Sequence, residues 1–354
     1  MLKNTESNLS KIWSNEFWVE TATDIELRYW ALIKDKIPRG NFPKKEPIPT
    51  EHRIEDFVRR LSKEKNLPNL HVGLTSSDLE DNVRAKRLEL SVDYIADSLR
   101  AIISWGGQSS IGQDDHQIMA YTHLLPAGQT NIYDRFAPTI DLLQHYRGCR
   151  PTPRYRGIRG ALGNRHIQYS LCLSDEQLNS IFPGKEQQKY SHQASDHQSD
   201  YEVACWIVGV GMTLTKLAND IRQMFALQQA HYKKDDVGST ALAHKAPNPW
   251  RFERVSGMFT SIVNLPAIVA TASASCLLER TLTDQSVLNS EFERSFTVLE
   301  GMIFDFIDGM KGLVFEERRG IPCPTSEIEL LDLVKQGKGR LEAHQILNHK
   351  YNKK

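Results

Sequence analysis

Residues 200–229 read DYEVACWIVGVGMTLTKLANDIRQMFALQQ. Val203, Trp206, Ile207, Val210, Met212, Leu214, Leu217, Ile221, Met224 and Leu227 recur at three- and four-residue spacing, the period of an α-helix. A proline-free run of this length predicts a helix of about 45 Å. Its apolar positions spread over more than one side, so several neighbours must bury it.

Working outward, four more segments carry the same period. One runs from Ser77 to about Gly107 through Leu79, Val83, Leu88, Leu90, Val92, Ile95, Leu99, Ile102 and Ile103. Asp78 stands at its head, where a carboxylate favours the positive end of the helix dipole. A second is expected from Gln129 to about Tyr146. A third starts after Pro249 and continues to Leu277, and a fourth covers roughly Val287 to Leu313. Strand patterns and hairpin turn signals are absent. The expected fold is all-α, an elongated central helical bundle at 77–314 flanked by small helical domains at 1–76 and 315–354, the last one shortened. Helices are expected at Asn15–Asp35, at His52–Glu64 and across Glu327–Asn348. The apolar faces are wider than one bundle covers, which implies association with copies of itself.

The 354 residues are 40% hydrophobic and 25% charged, with 44 Lys plus Arg against 44 Asp plus Glu. That is an ordinary globular composition, not a disordered one. A net charge of zero argues against a nucleic-acid or anionic-membrane surface, so a small-molecule ligand is expected. The five cysteines, Cys149, Cys172, Cys205, Cys276 and Cys323, show no C-x-x-C spacing. They read as reduced thiols, without a disulfide or zinc framework. With no apolar leader or membrane-length stretch, a soluble cytoplasmic protein is expected. No motif asks for a metal or cofactor.

Four separated segments carry chemistry: HVGLTSSD at 71–78; YTHLLPAGQT at 121–130 with RGALGN at 159–164; VGSTALAHKAPNPWRFER at 237–254; and LERTLTDQSVLN at 278–289. The third is glycine-punctuated and joins two helices, as an ordinary solvated loop also does. Its residues nevertheless suit one reaction. Removing a proton next to a carboxylate builds a doubly charged aci-carboxylate, which needs a cation and neutral donors around it. Lys245 offers the first, and Asn248 with backbone N–H groups the second. Ser239 can accept the proton only if positive charge and a closed, dry loop ionise it. His123 follows Thr122 and precedes Pro126, a setting in which histidines are more often structural or solvent-facing than catalytic. Glu253, on the following helix, is a carboxylate able to orient an imidazole. The SSD of the first segment also reads as a helix cap, and capping donors make an anion site.

Taken together, these segments resemble the fumarase/aspartase superfamily, and within it adenylosuccinate lyase, over about Ile12 to Ala343. The family motifs run approximately H-x-G-L-T-S-S-D, R-T-H-x-Q-P-A, S-G-A-V-G, G-S-S-x-M-P-x-K-x-N-P and R-D-x-T-D-S. The resemblance implies a homotetramer with sites composed across subunits. It also implies elimination of fumarate from an N-substituted aspartate, with Ser239 as general base and His123, partnered by Glu253, as general acid. It puts Lys245 among the catalytic groups. Substrate contacts are implied for His71, Thr75, Ser76, Thr122, Gln193, Asn248 and Arg280. His52 falls where the family has H-D-V, with Arg53 in place of the aspartate.

Three departures stand out. The signature loop reads L-A-H-K-A-P-N-P, with its proline moved and one residue inserted between Lys245 and Asn248. The N-terminal Arg-Tyr pair that clamps the nucleotide phosphate in adenylosuccinate lyase is missing, with Lys3 and Arg53 the nearby cations. The family's serine and arginine beyond Arg280 are Gln285 and Asn289. Two alternatives follow: the same elimination on a non-nucleotide N-succinyl compound, or a catalytically silent scaffold or regulatory homologue. Joint retention of Ser239, Lys245, His123 and Glu253 speaks against silence.

Overall fold

The computed structural model describes residues 8–45, 48, 50–107, 117–233, 247–316 and 324–351, except for the side chains of 283–286. Among them the chain is overwhelmingly helical, as the apolar periodicity requires, with two short two-stranded antiparallel sheets. It divides into two compact units, each assembled from three stretches of sequence.

The first unit comprises 1–100, 143–215 and 255–304. Helices α1 (Asn8–Ile12), α2 (Asn15–Ile33) and α3 (Arg53–Lys65) open it. Ser14 caps α2 by accepting from the Phe17 N–H at 3.1 Å, and His52 caps α3 through Nδ1, which accepts from the Glu55 N–H at 3.3 Å. Trp18, Ala22, Ile25, Tyr29 and Ile33 form one stripe of α2 and pack against Phe57, Leu61 and the aliphatic face of α4 (Ser76–Ser98).

Helix α4 buries charge as well as apolar surface, and its buried charges have partners. Arg84 lies 2.9 Å from Asp81 and 3.0 Å from Asp200, and Arg87 donates to the carbonyls of Ile12, Trp13 and Ser14. Trp18 Nε1 donates to Glu80 at 3.1 Å. At the head of α4, Asp78 accepts from the Thr75 N–H at 2.9 Å, half of a capping box. The same carboxylate is fully buried, takes the Arg156 guanidinium, and accepts from the N–H groups of Arg159 (2.7 Å) and Gly160 (3.1 Å). One aspartate thus caps a helix and folds the RGALGN loop onto it.

The expected continuous helix from Ser77 to Gly107 is divided. It consists of α4 and a short α5 (Arg100–Trp105), with Leu99 between them. The segment after Pro249 is also two helices, α10 (Trp250–Phe259) and α11 (Leu265–Ala274), where one was expected. Pro266 explains the break: it has no N–H for the Ile262 carbonyl, and its ring excludes that carbonyl from helical position. The apolar period survives such a break, so periodicity alone overran it. By contrast α9 (Gln198–Ala226), the helix at the centre of the sequence reading, is uninterrupted over 29 residues. Short helices α7 (His166–Ser170) and α8 (Asp175–Asn179) lie in this unit, whereas α9, α10 and the long α12 (Thr283–Met310) each have residues in both units.

The second unit comprises 101–142, 216–254 and 305–354. It overturns the expectation that no hairpin would be found: β1 (Gln117–Thr122) pairs antiparallel with β2 (Leu125–Asn131), and α6 (Ile132–Gly148) begins only afterwards. Thr122 faces Leu125, so the loop is His123–Leu124. Both loop residues are left-handed, at φ 51° and 62°, as a type I′ turn requires. Such turns ordinarily announce themselves by Asn-Gly or Asp-Gly, and here the pair is His-Leu. Gln229, fully buried, donates to the Met119 carbonyl at 2.9 Å; Arg135 donates to the same carbonyl and to Gln229 Oε1, each at 2.8 Å. These bonds hold the hairpin to α6. A second ladder pairs β3 (Ala230–Tyr232) with β4 (Leu313–Phe315), and Trp105, Phe136, Phe306 and Phe315 form an aromatic core. Helices α13 (Ser326–Lys335) and α14 (Arg340–Tyr351) form a hairpin of their own.

Among the described residues no helix is long and apolar enough to cross a membrane. Cys149, Cys172, Cys205 and Cys276 are free thiols; Cys323 lies outside the described residues.

Candidate active site

Three of the singled-out stretches, HVGLTSSD, RGALGN and LERT, converge within the first unit, together with SHQASD at 191–196, which carries Gln193. HVGLTSSD ends in the head of α4, and Asp78 binds RGALGN to it as described above. Arg156 donates to the carbonyls of Gly160 and His192, both at 2.9 Å, which draws in SHQASD. Gln193 Nε2 donates to the Ala161 carbonyl at 2.9 Å, and the Ala194 N–H reaches the Glu279 carbonyl at 3.4 Å. Gly163 must be glycine: a Cβ there would meet the Ser191 carbonyl oxygen at 1.9 Å, and its φ is 77°. Close backbone approach is therefore built into the cluster.

The LERT segment closes the group. Arg280 Nη1 donates to the hydroxyls of Ser76 and Ser77, each at 3.0 Å, while among the described residues its Nε is buried without a partner. Thr75, Ser76 and Ser77 thus sit at a helix N-terminus with a guanidinium beside them, the arrangement that suits a carboxylate or other anion.

His71 stands at the entrance to the same turn, in the left-handed region at φ 67°. Its Nδ1 is 2.5 Å from Glu26 Oε1, a side chain with no solvent exposure. Burial pulls the imidazole pKa down, yet the hydrogen bond and charge of Glu26, helped by Asp78 and Glu55, leave it raised above its ordinary value. One turn along α2, the buried Tyr29 phenol is pushed up to about 12 by desolvation and stays neutral.

The other sequence candidates are distributed as follows. His52 is used as the α3 cap. Arg53 is 3.8 Å from Glu80, with its guanidinium 4.2 Å from the Trp18 ring centroid. Asn289 is half-buried, and its Oδ1 has no partner among the described residues. Thr122 and His123 are exposed at the hairpin turn of the second unit. Glu253, also in that unit, is 71% exposed and 3.8 Å from Arg222; the described residues show no His123–Glu253 contact within one chain. Asn248 is exposed just ahead of α10. Ser239, Lys245 and the neighbouring His244 lie outside the described residues, as do Lys3 and the Gln285 side chain. Among the described residues no cluster of His, Cys, Asp or Glu is arranged to hold a metal ion.

Sequence reasoning missed Glu26 and Ser77 as parts of this constellation. Glu26 did leave a signal. It interrupts the α2 stripe of Ala22, Ile25 and Tyr29, and a carboxylate in an apolar stripe needs a partner.

Two solved structures share the architecture. A fumarate lyase from Mesorhizobium sp. BNC1 superposes with a TM-score of 0.69 at 17% identity, covering 96% of this chain and 84% of the other. A 3-carboxy-cis,cis-muconate lactonizing enzyme from Pseudomonas putida gives 0.70 at 17% identity with the same coverage. The likeness shows a shared helical-bundle fold. No protein-family model matches the chain. Curated relatives narrow the position further. Adenylosuccinate lyase from Schizosaccharomyces pombe is 26% identical over 311 residues, covering 79% of this chain and 63% of that enzyme. The Saccharomyces cerevisiae enzyme is 24% identical with equal coverage, and that of Pyrococcus horikoshii is 24% identical over 96% of this chain and 83% of its own length. The chain is thus similar to adenylosuccinate lyases over most of its length. It spans just under two thirds of the length of the two yeast relatives.

Proposed function

We propose that this chain is a lyase that releases fumarate from an N-succinyl substrate, adenylosuccinate or a close relative. The observation that carries this reading is the anion-ready turn at the head of α4, where Ser76, Ser77 and Arg280 meet beside His71. A dicarboxylate fits such a turn.

In the proposed reaction Ser239 takes the proton from the carbon next to a carboxylate. Lys245 and Asn248 stabilise the resulting aci-carboxylate. The electron pair then forms the C=C bond of fumarate as the C–N bond breaks, and His123 gives its proton to the leaving nitrogen. Glu253 orients His123 from another subunit of a homotetramer. That assembly supplies the pairing that one chain lacks. His71, Thr75, Thr122 and Gln193 complete the substrate contacts. His52, which the fold uses as a cap, and Arg53 lie at the edge of this set.

Incubation of the protein with adenylosuccinate tests the reading. Fumarate and the amine product should appear in equal amounts, and their absence with every N-succinyl compound tried would reject it. A second substrate is favoured by one feature: Asn289 Oδ1, without a partner among the described residues, is an acceptor, which suits a neutral donor better than a phosphate. On that ground a non-nucleotide N-succinyl compound is the alternative substrate of the same elimination.

A further inference from the structure

We propose that Glu26 is a positioning residue that keeps His71 an imidazolium, with its Nε2 turned to donate to a carboxylate of the bound ligand. The inference rests on the lyase reading for the ligand's identity, but its geometric basis is independent of it. Glu26 has no solvent exposure, and among the described residues its Oε2 is buried without a hydrogen-bond partner. Its Oε1 is engaged by His71 Nδ1 at 2.5 Å.

A carboxylate buried this completely costs several kcal/mol unless a positive charge faces it. The protonated imidazole is that charge. With Nδ1–H committed to Glu26, the remaining N–H is on Nε2, and the His71 side chain is 18% exposed, so this donor stays within reach of a ligand. The left-handed backbone at His71 sets the ring's direction, and the turn is packed too tightly for it to relax. A Cβ at Gly73 would meet the Ile167 side chain at 2.7 Å, and the Gly73 carbonyl accepts from the fully buried Gln168 at 2.6 Å.

The charged groups acting on the ring come from three helices and are all carboxylates: Glu26 on α2, Glu55 on α3 and Asp78 on α4. Tyr29, also on α2, remains a neutral phenol and adds no opposing charge. A purely structural role for Glu26 has a different consequence. An isosteric amide would then serve as well, because glutamine offers Nδ1–H an acceptor of the same reach.

The experiment uses the full chain and its Glu26→Gln and Glu26→Asp variants, with His71→Asn to assign the His71 resonance. Histidine ring signals are titrated by NMR without ligand, fumarate binding is measured by calorimetry across pH, and kcat/KM is followed with adenylosuccinate. His71 should titrate above the ordinary histidine value in the parent and about one pH unit or more lower in Glu26→Gln. Fumarate affinity at pH 8 should fall about tenfold with it, since the same protonation equilibrium governs both. Glu26→Asp should recover part of each shift. An unchanged His71 titration in Glu26→Gln overturns the proposal, as does a lowered titration that leaves fumarate affinity untouched. Absence of turnover, with the titration and affinity shifts as expected, would instead reject the lyase reading and leave the role of Glu26 standing.

Discussion

Arg280 and Ser76 are 204 positions apart in sequence and 3.0 Å apart in space, joined by a hydrogen bond from Nη1 to the serine hydroxyl. The same nitrogen reaches Ser77, so one guanidinium holds two hydroxyls at the head of α4. Lysine carries the charge but lacks the rigid, planar guanidinium that places Nη1 between the two hydroxyls. Arg280→Lys is expected to lower kcat/KM for adenylosuccinate about 10- to 100-fold, which corresponds to one charge-assisted hydrogen bond at about 1.5–3 kcal/mol. Steady-state kinetics with a matching circular-dichroism melt checks this. A variant within twofold of the parent would show that Arg280 has no part in the site.

Ser239→Ala is expected to abolish turnover while substrate still binds, because it removes a proton acceptor and leaves the ground-state contacts. General-base catalysis contributes about 10²- to 10⁴-fold, and the loss should fall in or above that range. His123→Ala should behave likewise unless the leaving group departs without a proton. Lys245→Ala should weaken carboxylate binding as well as slow the reaction. Single-turnover kinetics beside calorimetric binding separates these effects, and a Ser239→Ala rate within a few fold of the parent would reassign the base.

The long helices were legible because their core positions are apolar at a single period: Val203 through Met224 in α9 needed nothing else. What escaped was whatever depends on one residue's backbone. The His123–Leu124 turn adopts left-handed angles on a His-Leu pair that is not among the usual signatures of such a turn. Pro266 was visible, yet the apolar period passes through it. The site divides in the same way. Thr75, Ser76 and Arg280 were found because a motif names them. Glu26 belongs to no motif and was detectable only as a carboxylate in an apolar stripe.

The Arg84–Asp200 pair makes a prediction about acid stability. Burial alone would raise the Asp200 carboxyl, but Arg84 and His197 outweigh it and bring the pKa from 3.8 to about 2. A carboxyl depressed in the folded state contributes stability that is fully present above its unfolded value. That contribution is lost as pH falls through the folded one. The window is therefore about pH 4 down to 2, and the contribution is on the order of 2 kcal/mol. Urea midpoints measured across this window should fall less steeply in Asp200→Asn than in the parent, although the variant starts from lower stability. Equal slopes would show that Asp200 is not depressed.

The family resemblance puts substrate choice on Gln285 and Asn289, which stand where it implies a serine and an arginine; among the described residues Asn289 Oδ1 is buried without a partner. An amide donates hydrogen bonds to a phosphate but supplies no charge, so a dianionic phosphate is held through fewer ion pairs. Adenylosuccinate should accordingly show a higher KM than with family members that carry the arginine. That KM should rise only weakly with salt, because few charge pairs are there to be screened. Arg53 works against this expectation if its cation turns toward the ligand, but its 3.8 Å approach to Glu80 and its stacking on Trp18 engage it elsewhere. Measuring KM at about 0.05 M and 0.5 M ionic strength, where the screening length shrinks about threefold, decides the matter. A low-micromolar KM that climbs steeply with salt would mean that a phosphate clamp has been rebuilt from other cations, and the non-nucleotide alternative would lose its support.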